Sequence, residues 1–389
     1  MASLYRQSNL FNDAFCERKC FAYATCGGGY ETAPCGCAWK NPDKRGRCAD
    51  CYLICLQRKV AATNSRQADN AFQQYSDGLE LSKLRLTHGR SEPFPLFIPT
   101  RTSDFPPGFG TLPLRWAAVD AKQLLRERVL AAASLEPSFD NPASARKFLR
   151  VSDDCRLISV MNAQDRILES FWAMDDRIGQ FQELGACGFE ASTGATFSVM
   201  HLTIDGTPVP RFHNHVMQQR HHRVAGEIQQ AGLMSIPNLY WQDEREWRAW
   251  VNWLARNPTV STVSRDLTRT RRGIPFREKM DGLLSLLDRA NRPFHVFLIG
   301  TGPANAAAAL YRLAAHGHTG TVVTSDPILK GVKGRVYNEQ FKPILDLSVE
   351  RHEAVLHNIE LFETHLLDSI AEFTLTKRPS RNLLLEAMS

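Results

Sequence analysis

The residues best suited to chemistry include a cluster of cysteines at the start of the chain. Eight of the ten cysteines fall within the first 55 residues, with the spacing C-x3-C-x5-C-x8-C-x-C-x10-C-x2-C-x3-C. Closely spaced cysteines bring two thiolates to one metal ion, and a distant pair completes a tetrahedral site. The spacing therefore predicts two four-cysteine sites that hold either two Zn²⁺ or an iron–sulfur cluster with or without a Zn²⁺. The predicted ligands are Cys16, Cys20, Cys26, Cys35, Cys37, Cys48, Cys51 and Cys55.

Buried free thiols are the alternative interpretation of the same cysteines. In a reducing compartment, clustered cysteines favour metal ligation over disulfide bonds. The pattern leaves open whether the metal is zinc or iron, and whether its role is structural or functional.

A second set of candidates consists of polar side chains that directly follow short apolar segments. Carboxylates around one opening, with aromatic rings beside them, suit a site that holds a flat heterocycle and performs acid–base or nucleophilic chemistry. An aspartate after a strand is also a common N-cap of the next helix, although the ILKGVKGR sequence after Asp326-Pro327 is not typical of a helix start. The candidate catalytic residues are Asp326, Asp165 and Asp120, and the candidate substrate-binding residues are Asp205, Asn238, Tyr240, Trp241, Asn162, Gly300 and Gly302.

Basic residues are concentrated near the same positions. Loops after the sixth and eighth apolar segments carry enough cations to form a rim that follows a phosphate backbone. An ordinary solvated charged surface is the alternative. The predicted nucleic-acid-binding residues are Arg265, Arg269, Arg271, Arg272, Lys330, Lys333 and Arg335.

Two further patterns give weaker indications. The turn Gly300-Thr301-Gly302 precedes a predicted helix and could bind a phosphate through backbone N–H groups, but it lacks the lysine and the third glycine of established nucleotide motifs. The histidine-rich run RFHNHVMQQRHHR resembles a metal-binding sequence. Because histidines two residues apart do not share a helix face, we favour a solvated basic face for this run.

These residues need a scaffold that brings the ends of many segments together. From about Phe94 to Asp326, β-rich apolar segments alternate with amphipathic stretches at the spacing of βα units. This pattern predicts an α/β fold, a (β/α)8 TIM-like barrel, with a doubly wound open sheet as the alternative. Functional residues of such barrels lie beyond the C-terminal ends of the strands. The predicted strands are Phe94–Pro99, Trp116–Val119, Leu157–Asn162, Thr196–Ile204, Leu233–Leu239, Val260–Ser264, Phe294–Ile299 and Thr321–Thr324.

The chain is predicted to contain four regions. Residues 1–60 form the cysteine-rich metal-binding module, 61–92 a helical linker, 93–335 the barrel and 336–389 a C-terminal helical extension. The extension contains an amphipathic helix at about Leu345–Thr374, which we expect to pack on the outside of the barrel. The helices predicted between the strands include Ala121–Ala133, Asp176–Leu184, Asn214–Gln230, Gln242–Arg256, Phe276–Ala290 and Pro303–His316.

The composition is that of a globular protein with a large core. Hydrophobic residues make up 43% and aromatic residues 9% of the chain, which argues against wholesale disorder. The net charge of +6 is compatible with a phosphate-bearing partner but does not require one. No secretory signal and no apolar stretch of membrane-spanning length are visible, so we expect a cytoplasmic protein without a membrane partner.

The segment Arg292–Arg335, RPFHVFLIGTGPANAAAALYRLAAHGHTGTVVTSDPILKGVKGR, resembles the seventh and eighth strand region of the tRNA-guanine transglycosylases. In that family a Gly-rich turn follows one strand. The next strand ends at an aspartate that attacks the ribose C1′, and a basic loop that contacts phosphate follows. The resemblance implies that Asp326 is the nucleophile. It also implies that Lys330, Lys333 and Arg335 contact the nucleic-acid backbone.

Upstream segments extend the resemblance to about 235 residues. FPLFIPTRTSDF is similar to the first strand of the family, and Asp205-Gly-Thr-Pro-Val-Pro to the segment whose aspartate hydrogen-bonds the purine edge. Asn238 lies at the position where the family has a glutamine that recognises the base by hydrogen bonding. The resemblance thus implies that Asp205 and Asn238 bind the heterocycle while Tyr240 or Trp241 stacks on it.

The chain departs from the family pattern at three places. The motif Asp-Ser-Gly-Gly-Phe-Gln after the third strand is replaced by Met161-Asn162-Ala163-Gln164-Asp165, so Asp165 or Asp120 would serve as the general base. The Gly-Gly-Leu turn after the sixth strand is replaced by SRDL. The cysteines precede the barrel, whereas the zinc site of the family follows it.

The overall pattern is most similar to the divergent branch of phages and genomic islands that inserts 7-deazaguanine bases into DNA. The resemblance therefore implies a glycosyltransferase that exchanges guanine in nucleic acid for a 7-deazaguanine base, with DNA favoured over tRNA as the substrate. It is also compatible with helper proteins that give access to DNA. Two alternatives remain open. One is a non-catalytic nucleic-acid-binding protein of a mobile element, and the other is an iron–sulfur barrel enzyme that acts on a small substrate.

Overall fold

The computed structural model describes residues 78–88, 93–101, 104–124, 141–163, 165–172, 174, 176–199, 211–268 and 274–376. The eight cysteines of the predicted metal module lie outside these residues, as do Asp205, Arg269, Arg271 and Arg272.

Eight strands make up the main sheet. They are β1 (Phe97–Arg101), β2 (Trp116–Asp120), β3 (Arg156–Val160), β4 (Phe189–Thr193), β5 (Met234–Ile236), β6 (Thr262–Asp266), β7 (His295–Ile299) and β8 (Thr319–Thr324). Their order is β5-β4-β3-β2-β1-β8-β7-β6. β1 pairs in parallel with both β2 and β8, and β7 pairs in parallel with both β6 and β8.

This strand order decides between the two predicted folds. In a doubly wound sheet the order reverses at an internal switch point, whereas in a (β/α)8 fold consecutive strands are neighbours and the first strand meets the last. The pairing of Phe97, Ile98 and Pro99 of β1 with Val322, Val323 and Thr324 of β8 is the second arrangement. The prediction of a TIM-like α/β fold is therefore confirmed at the level of strand order.

Helices occupy most connections between the strands. They are α1 (Ala121–Leu124), α2 (Pro142–Leu149), α3 (Asp165–Trp172), α4 (Arg177–Ala186), α5 (Arg211–Gln230), α6 (Glu244–Arg256), α7 (Ile274–Arg289), α8 (Pro303–Ala315), α9 (Asp326–Val332) and α10 (Arg351–Thr376). Between α9 and α10 an antiparallel hairpin is formed by β9 (Arg335–Tyr337) and β10 (Pro343–Leu345). None of the described helices is both long and apolar enough to cross a membrane.

The fourth strand lies earlier in the chain than the sequence predicts. The prediction placed it at Thr196–Ile204, but β4 forms at Phe189–Thr193, and residues 196–199 have no regular secondary structure. Gly188, at a φ of +90°, turns the chain directly from α4 into β4. The prediction is wrong because the apolar run TFSV is a stronger strand pattern than FEAST, whose residues become buried only through their neighbours in the sheet.

A helix also begins at Asp326, where the sequence is not typical of a helix start. Ser325 is the N-cap of α9, and Pro327 lies in its first turn, where the missing N–H of proline has no intrahelical partner to lose. Gly331 lets α9 approach α10, because a Cβ at this position would lie 2.5 Å from a methyl carbon of Val355. The expectation that this segment is not helical is therefore wrong.

The predicted C-terminal helix is present as α10. It begins at Arg351, six residues later than predicted, since residues 343–345 form β10 instead. The ring of Phe362 on α10 contacts that of Phe97 on β1, with centroids 4.7 Å apart. Both rings are buried, so α10 packs on β1 through this contact.

By its internal contacts the chain divides into two compact units. The first, unit 1, comprises Met1–His88, Asp120–Ala145 and Ser159–Val260. The second, unit 2, comprises Gly89–Val119, Arg146–Ile158 and Ser261–Ser389.

Candidate functional site

Asp326 is the most informative candidate in unit 2. It lies two residues after the end of β8 and occupies the first turn of α9. The hydroxyl of Tyr337 donates a hydrogen bond to its Oδ2, and the ammonium group of Lys330 lies 3.9 Å from its Oδ1. The Asp326 side chain is 35% exposed, so its carboxylate is both oriented by neighbours and open to solvent.

Tyr337 is well suited to hold this carboxylate. Burial raises the pKa of the Tyr337 phenol above its ordinary value, and the hydrogen bond to Asp326 and its charge raise the pKa further. The phenol therefore stays protonated at physiological pH and acts as a donor. Sequence reasoning missed Tyr337, because nothing in the pattern indicates that the chain turns back toward Asp326 after α9.

Asn358 fixes the backbone around this pair. It is fully buried on α10, and its Oδ1 accepts a hydrogen bond of 2.8 Å from the N–H of Tyr337. Its Nδ2 donates to the carbonyl oxygens of Pro327 at 3.2 Å and Arg335 at 2.9 Å. A single side chain thus joins the first turn of α9, the hairpin strand β9 and α10. The only sequence signal for it is one amide on the apolar face of a helix.

The predicted cationic residues differ in their exposure. Lys333 and Arg335 are exposed, and the Lys330 side chain is 28% exposed. Arg265 is buried at 5% exposure, and this burial lowers the pKa of its guanidinium to about 10. Among the described candidates, the accessible positive charge therefore lies after β8 rather than after β6.

The two glycines of the turn after β7 have different structural roles. Gly300 has a φ of +76°, and a Cβ there would lie 2.4 Å from Oγ1 and 2.7 Å from Cα of Thr268. Thr268 is itself held by Asp266, whose Oδ1 accepts from its N–H and its hydroxyl. Gly302, the N-cap of α8, has a φ of −84°, and among the described residues no atom lies within 4 Å of its added Cβ.

We therefore expect Gly300→Ala to lower the free energy of unfolding by about 2 kcal/mol or more, because an alanine at positive φ is strained and its methyl group meets the Thr268 backbone. Gly302→Ala is the matched control and should cost less than about 1 kcal/mol, since only an N-cap preference changes. Urea unfolding of the two variants measures both effects. Equal losses in the two variants would show that the close approach to Thr268 is unimportant.

In unit 1, Asn238 is held from two sides at the end of β5. It is buried at 1% exposure, and its Nδ2 donates to Oγ1 of Thr196 at 3.1 Å. Its backbone N–H donates to Nε2 of His221 at 3.2 Å. The Nδ1 of the same ring lies 2.8 Å from the carbonyl oxygen of Ala195. Because Nε2 accepts, the proton of the neutral ring is on Nδ1.

The histidine-rich segment is therefore not a solvated basic face. His221 is fully buried and His222 is 6% exposed. Burial lowers the pKa of His221 to about 4, and it also holds the pKa of His222 well below the ordinary value. The favoured interpretation is wrong because both rings are buried and the Nδ1 atoms of His221 and His222 contact the carbonyl oxygens of Ala195 and Leu79. In the part of the chain that the structure describes, no group of three His, Cys, Asp or Glu side chains is arranged to hold a metal ion.

The two aromatic candidates after β5 are partly buried. The Tyr240 hydroxyl donates to the carbonyl oxygen of Met217 at 3.5 Å, and its ring packs edge-on against His221. Burial raises the pKa of Tyr240 well above its ordinary value. The backbone carbonyl of Tyr240 accepts from Nε1 of Trp250 at 2.9 Å. Tyr240 is thus anchored within unit 1.

The remaining candidates follow β2 and β3. The Oδ1 of Asp120 accepts the N–H of Gln123 at 3.1 Å, so this carboxylate caps α1, as the N-cap alternative allows. Asp165 is the first residue of α3. Asn162 lies just after β3, and both polar atoms of its side chain are buried without a hydrogen-bond partner among the described residues.

Comparisons with models of known protein families and with curated proteins find no match for this chain. The family resemblance therefore stays a prediction. Since one TIM-like fold serves many activities, the function has to be inferred from the site itself.

Proposed function

We propose that the protein is a base-exchange transglycosylase that replaces guanine in nucleic acid, DNA in preference to tRNA, with a 7-deazaguanine base. The observation that carries this proposal is the Asp326 carboxylate, which lies just beyond the end of β8 and is oriented by Tyr337 and Lys330. Barrel enzymes place their reactive groups just beyond the C-terminal ends of the strands.

Asp326 would act as the nucleophile. Because the Tyr337 hydroxyl occupies Oδ2, Oδ1 is the atom that attacks C1′ of the sugar while the C1′–N9 bond breaks and the electron pair leaves with guanine. The nitrogen of the incoming base then attacks C1′, and the C1′–Oδ1 bond breaks to restore the carboxylate. Two displacements retain the configuration at C1′, and one base replaces the other.

Proton transfer to the leaving base and from the incoming base needs an acid–base group. Asp165 and Asp120 are the proposed candidates for this role. Oδ1 of Asp120 accepts the N–H of Gln123, so this carboxylate is held at the end of β2.

The contacts of Asn238 support a role in binding the base. Thr196 and His221 fix its side chain and its backbone N–H, and a fixed amide reads a base with less loss of conformational entropy than a mobile one. Asp205 and a stacking ring of Tyr240 or Trp241 complete the proposed pocket for a base that has left its stack.

A metal site at the eight N-terminal cysteines is a separate part of the proposal. It is supported by their spacing alone, which suits zinc or an iron–sulfur cluster. Visible absorption and metal analysis of the purified full chain distinguish the two.

An exchange assay tests the proposed function directly. The full-length protein is incubated with labelled guanine and either double-stranded DNA or tRNA, and the label that enters the polymer is measured. We expect incorporation into DNA. Binding of DNA without incorporation or a covalent adduct would contradict the proposal and favour the non-catalytic nucleic-acid-binding alternative.

The exposed cations after β8 provide a second prediction. We expect Lys333→Ala/Arg335→Ala to weaken DNA binding for all sequences and to reduce the slope of log K against log salt by about 2, because two phosphate contacts are lost. Fluorescence anisotropy at several salt concentrations measures this slope. Arg289→Ala, which removes an exposed cation at the end of α7, is the control. The predicted contacts are refuted if both proteins give the wild-type slope.

A further inference from the structure

Asn162 is partly exposed as a residue, yet both polar atoms of its side-chain amide are buried. Asn238, Asn257 and Asn358 each donate a side-chain hydrogen bond to another residue. In Asn162 both Oδ1 and Nδ2 are buried, and neither has a partner within the described part of the chain. Buried polar groups in native proteins are nearly always hydrogen-bonded, so an amide with both ends unsatisfied needs an explanation.

The backbone that carries this amide is firmly held. The N–H of the preceding residue, Met161, donates to Oγ1 of Thr193 at 2.9 Å. The carbonyl oxygen of Met161 accepts from the N–H of Thr196 at 3.2 Å, and the N–H of Asn162 donates to the carbonyl oxygen of Val160 at 2.7 Å. Poor packing of this segment therefore does not explain the unsatisfied amide.

The same support links Asn162 to the proposed base-binding residue of unit 1. Thr196, which holds the carbonyl of Met161, also accepts the side-chain hydrogen bond of Asn238. One short segment after β4 thus connects the ends of β3 and β5. A positioned group whose own hydrogen-bonding capacity is unused has the arrangement expected of a binding residue.

We infer that the Asn162 amide binds the edge of a planar heterocycle that presents one hydrogen-bond donor beside one acceptor. The lactam edge of a guanine-type base is such an edge: Oδ1 would accept its N–H while Nδ2 donates to its carbonyl oxygen. A carboxylate at this position would only accept hydrogen bonds. The amide both donates and accepts, so it favours an edge that presents one donor beside one acceptor. The choice of a purine-like ligand rests on the proposed function, whereas the edge pattern rests on Asn162.

Both amide atoms are shielded from solvent. A ligand therefore reaches them only by displacing the groups that cover them. In the absence of ligand the amide destabilises the fold, since its polar atoms have lost water without gaining a partner. Its removal should then weaken binding without weakening the fold.

The test uses the full chain and 7-deazaguanine as the probe. We expect Asn162→Leu to weaken binding of 7-deazaguanine, measured by calorimetry, by about tenfold to a hundredfold, the usual effect of a paired amide contact. The N1-methyl analogue, which lacks the donor, should bind the wild type more weakly by a similar factor. The melting temperature of Asn162→Leu should equal or exceed that of the wild type. Asn238→Leu, which breaks an existing hydrogen bond, should lower it.

Asn252→Leu, at an exposed position on α6, is the control for binding and melting. The inference is overturned if the wild type does not bind 7-deazaguanine or if Asn162→Leu binds it normally. It is also overturned if Asn162→Leu loses as much thermal stability as Asn238→Leu, because the amide would then have a structural partner. Binding that depends on Asn162 in a protein without exchange activity would refute only the proposed function. Exchange with an unchanged KM for the base in Asn162→Leu would refute only this inference.

Discussion

Asp326→Ala is expected to abolish base exchange and the covalent adduct between protein and nucleic acid. Without the carboxylate no group attacks C1′, and removal of a catalytic nucleophile typically lowers the rate by at least about a thousandfold. The measurement combines the initial rate of guanine incorporation with trapping of the adduct on denaturing gels. Nucleic-acid affinity should change little, because Lys333 and Arg335 remain exposed.

Asp326→Asn separates loss of chemistry from loss of structure. The amide oxygen still accepts the hydrogen bond that Tyr337 donates to the aspartate, so the melting temperature should stay close to that of the wild type while exchange is lost. Asp346→Ala removes a carboxylate that accepts hydrogen bonds from the N–H and the hydroxyl of Ser348, and this control should keep full activity. Exchange that persists in Asp326→Asn would mean that another residue is the nucleophile.

The largest effect on stability is expected for Asn358→Leu. Three backbone groups lose their partner in this variant: the N–H of Tyr337 and the carbonyl oxygens of Pro327 and Arg335. A buried polar group without a partner costs about 1–3 kcal/mol, so we expect the free energy of unfolding to fall by about 3 kcal/mol or more. The exchange rate should fall as well, because Tyr337 is no longer fixed beside Asp326.

Urea unfolding of the full chain measures the change in stability. Asn252→Leu makes the same substitution at an exposed position of α6, where a change within about 0.5 kcal/mol is expected. A loss below about 1 kcal/mol in Asn358→Leu would show that water satisfies the three backbone groups. Asn358 would then not be the residue that joins α9, β9 and α10.

The main features of the fold could be predicted from the sequence where a buried strand requires a run of apolar residues. β7, HVFLI, is a short, nearly continuous apolar run, and β1 and β8 contain the apolar pairs Phe97-Ile98 and Val322-Val323, a pattern of strands covered on both faces. β4 has no such pattern, because Phe189–Thr193 includes Glu190, which is exposed, and small residues that become buried in the sheet. The apolar run after it was therefore the stronger, and wrong, prediction.

Candidate residues at strand ends were predictable for the same reason. The position of Asp326 follows from the end of β8, and Asn162 and Asn238 follow from the ends of β3 and β5. The partners of these residues were not predictable. Tyr337 is 11 residues from Asp326, and Asn358 is 21 to 31 residues from the backbone groups that it holds. Their hydrogen bonds exist only because a hairpin and α10 return to that strand end.

The sequence by itself determined the alternation of strands and helices, the cysteine cluster and the polar residues that follow the strands, because these depend on local composition and spacing. Tertiary structure decided which polar groups are satisfied. It buried Arg265, and it buried His221 against the carbonyl oxygen of Ala195. It also brought the Tyr337 hydroxyl into hydrogen-bond contact with Asp326 and left the Asn162 amide without a partner among the described residues. Hydrogen-bond partners and burial come from contacts between distant segments, and local patterns do not encode such contacts.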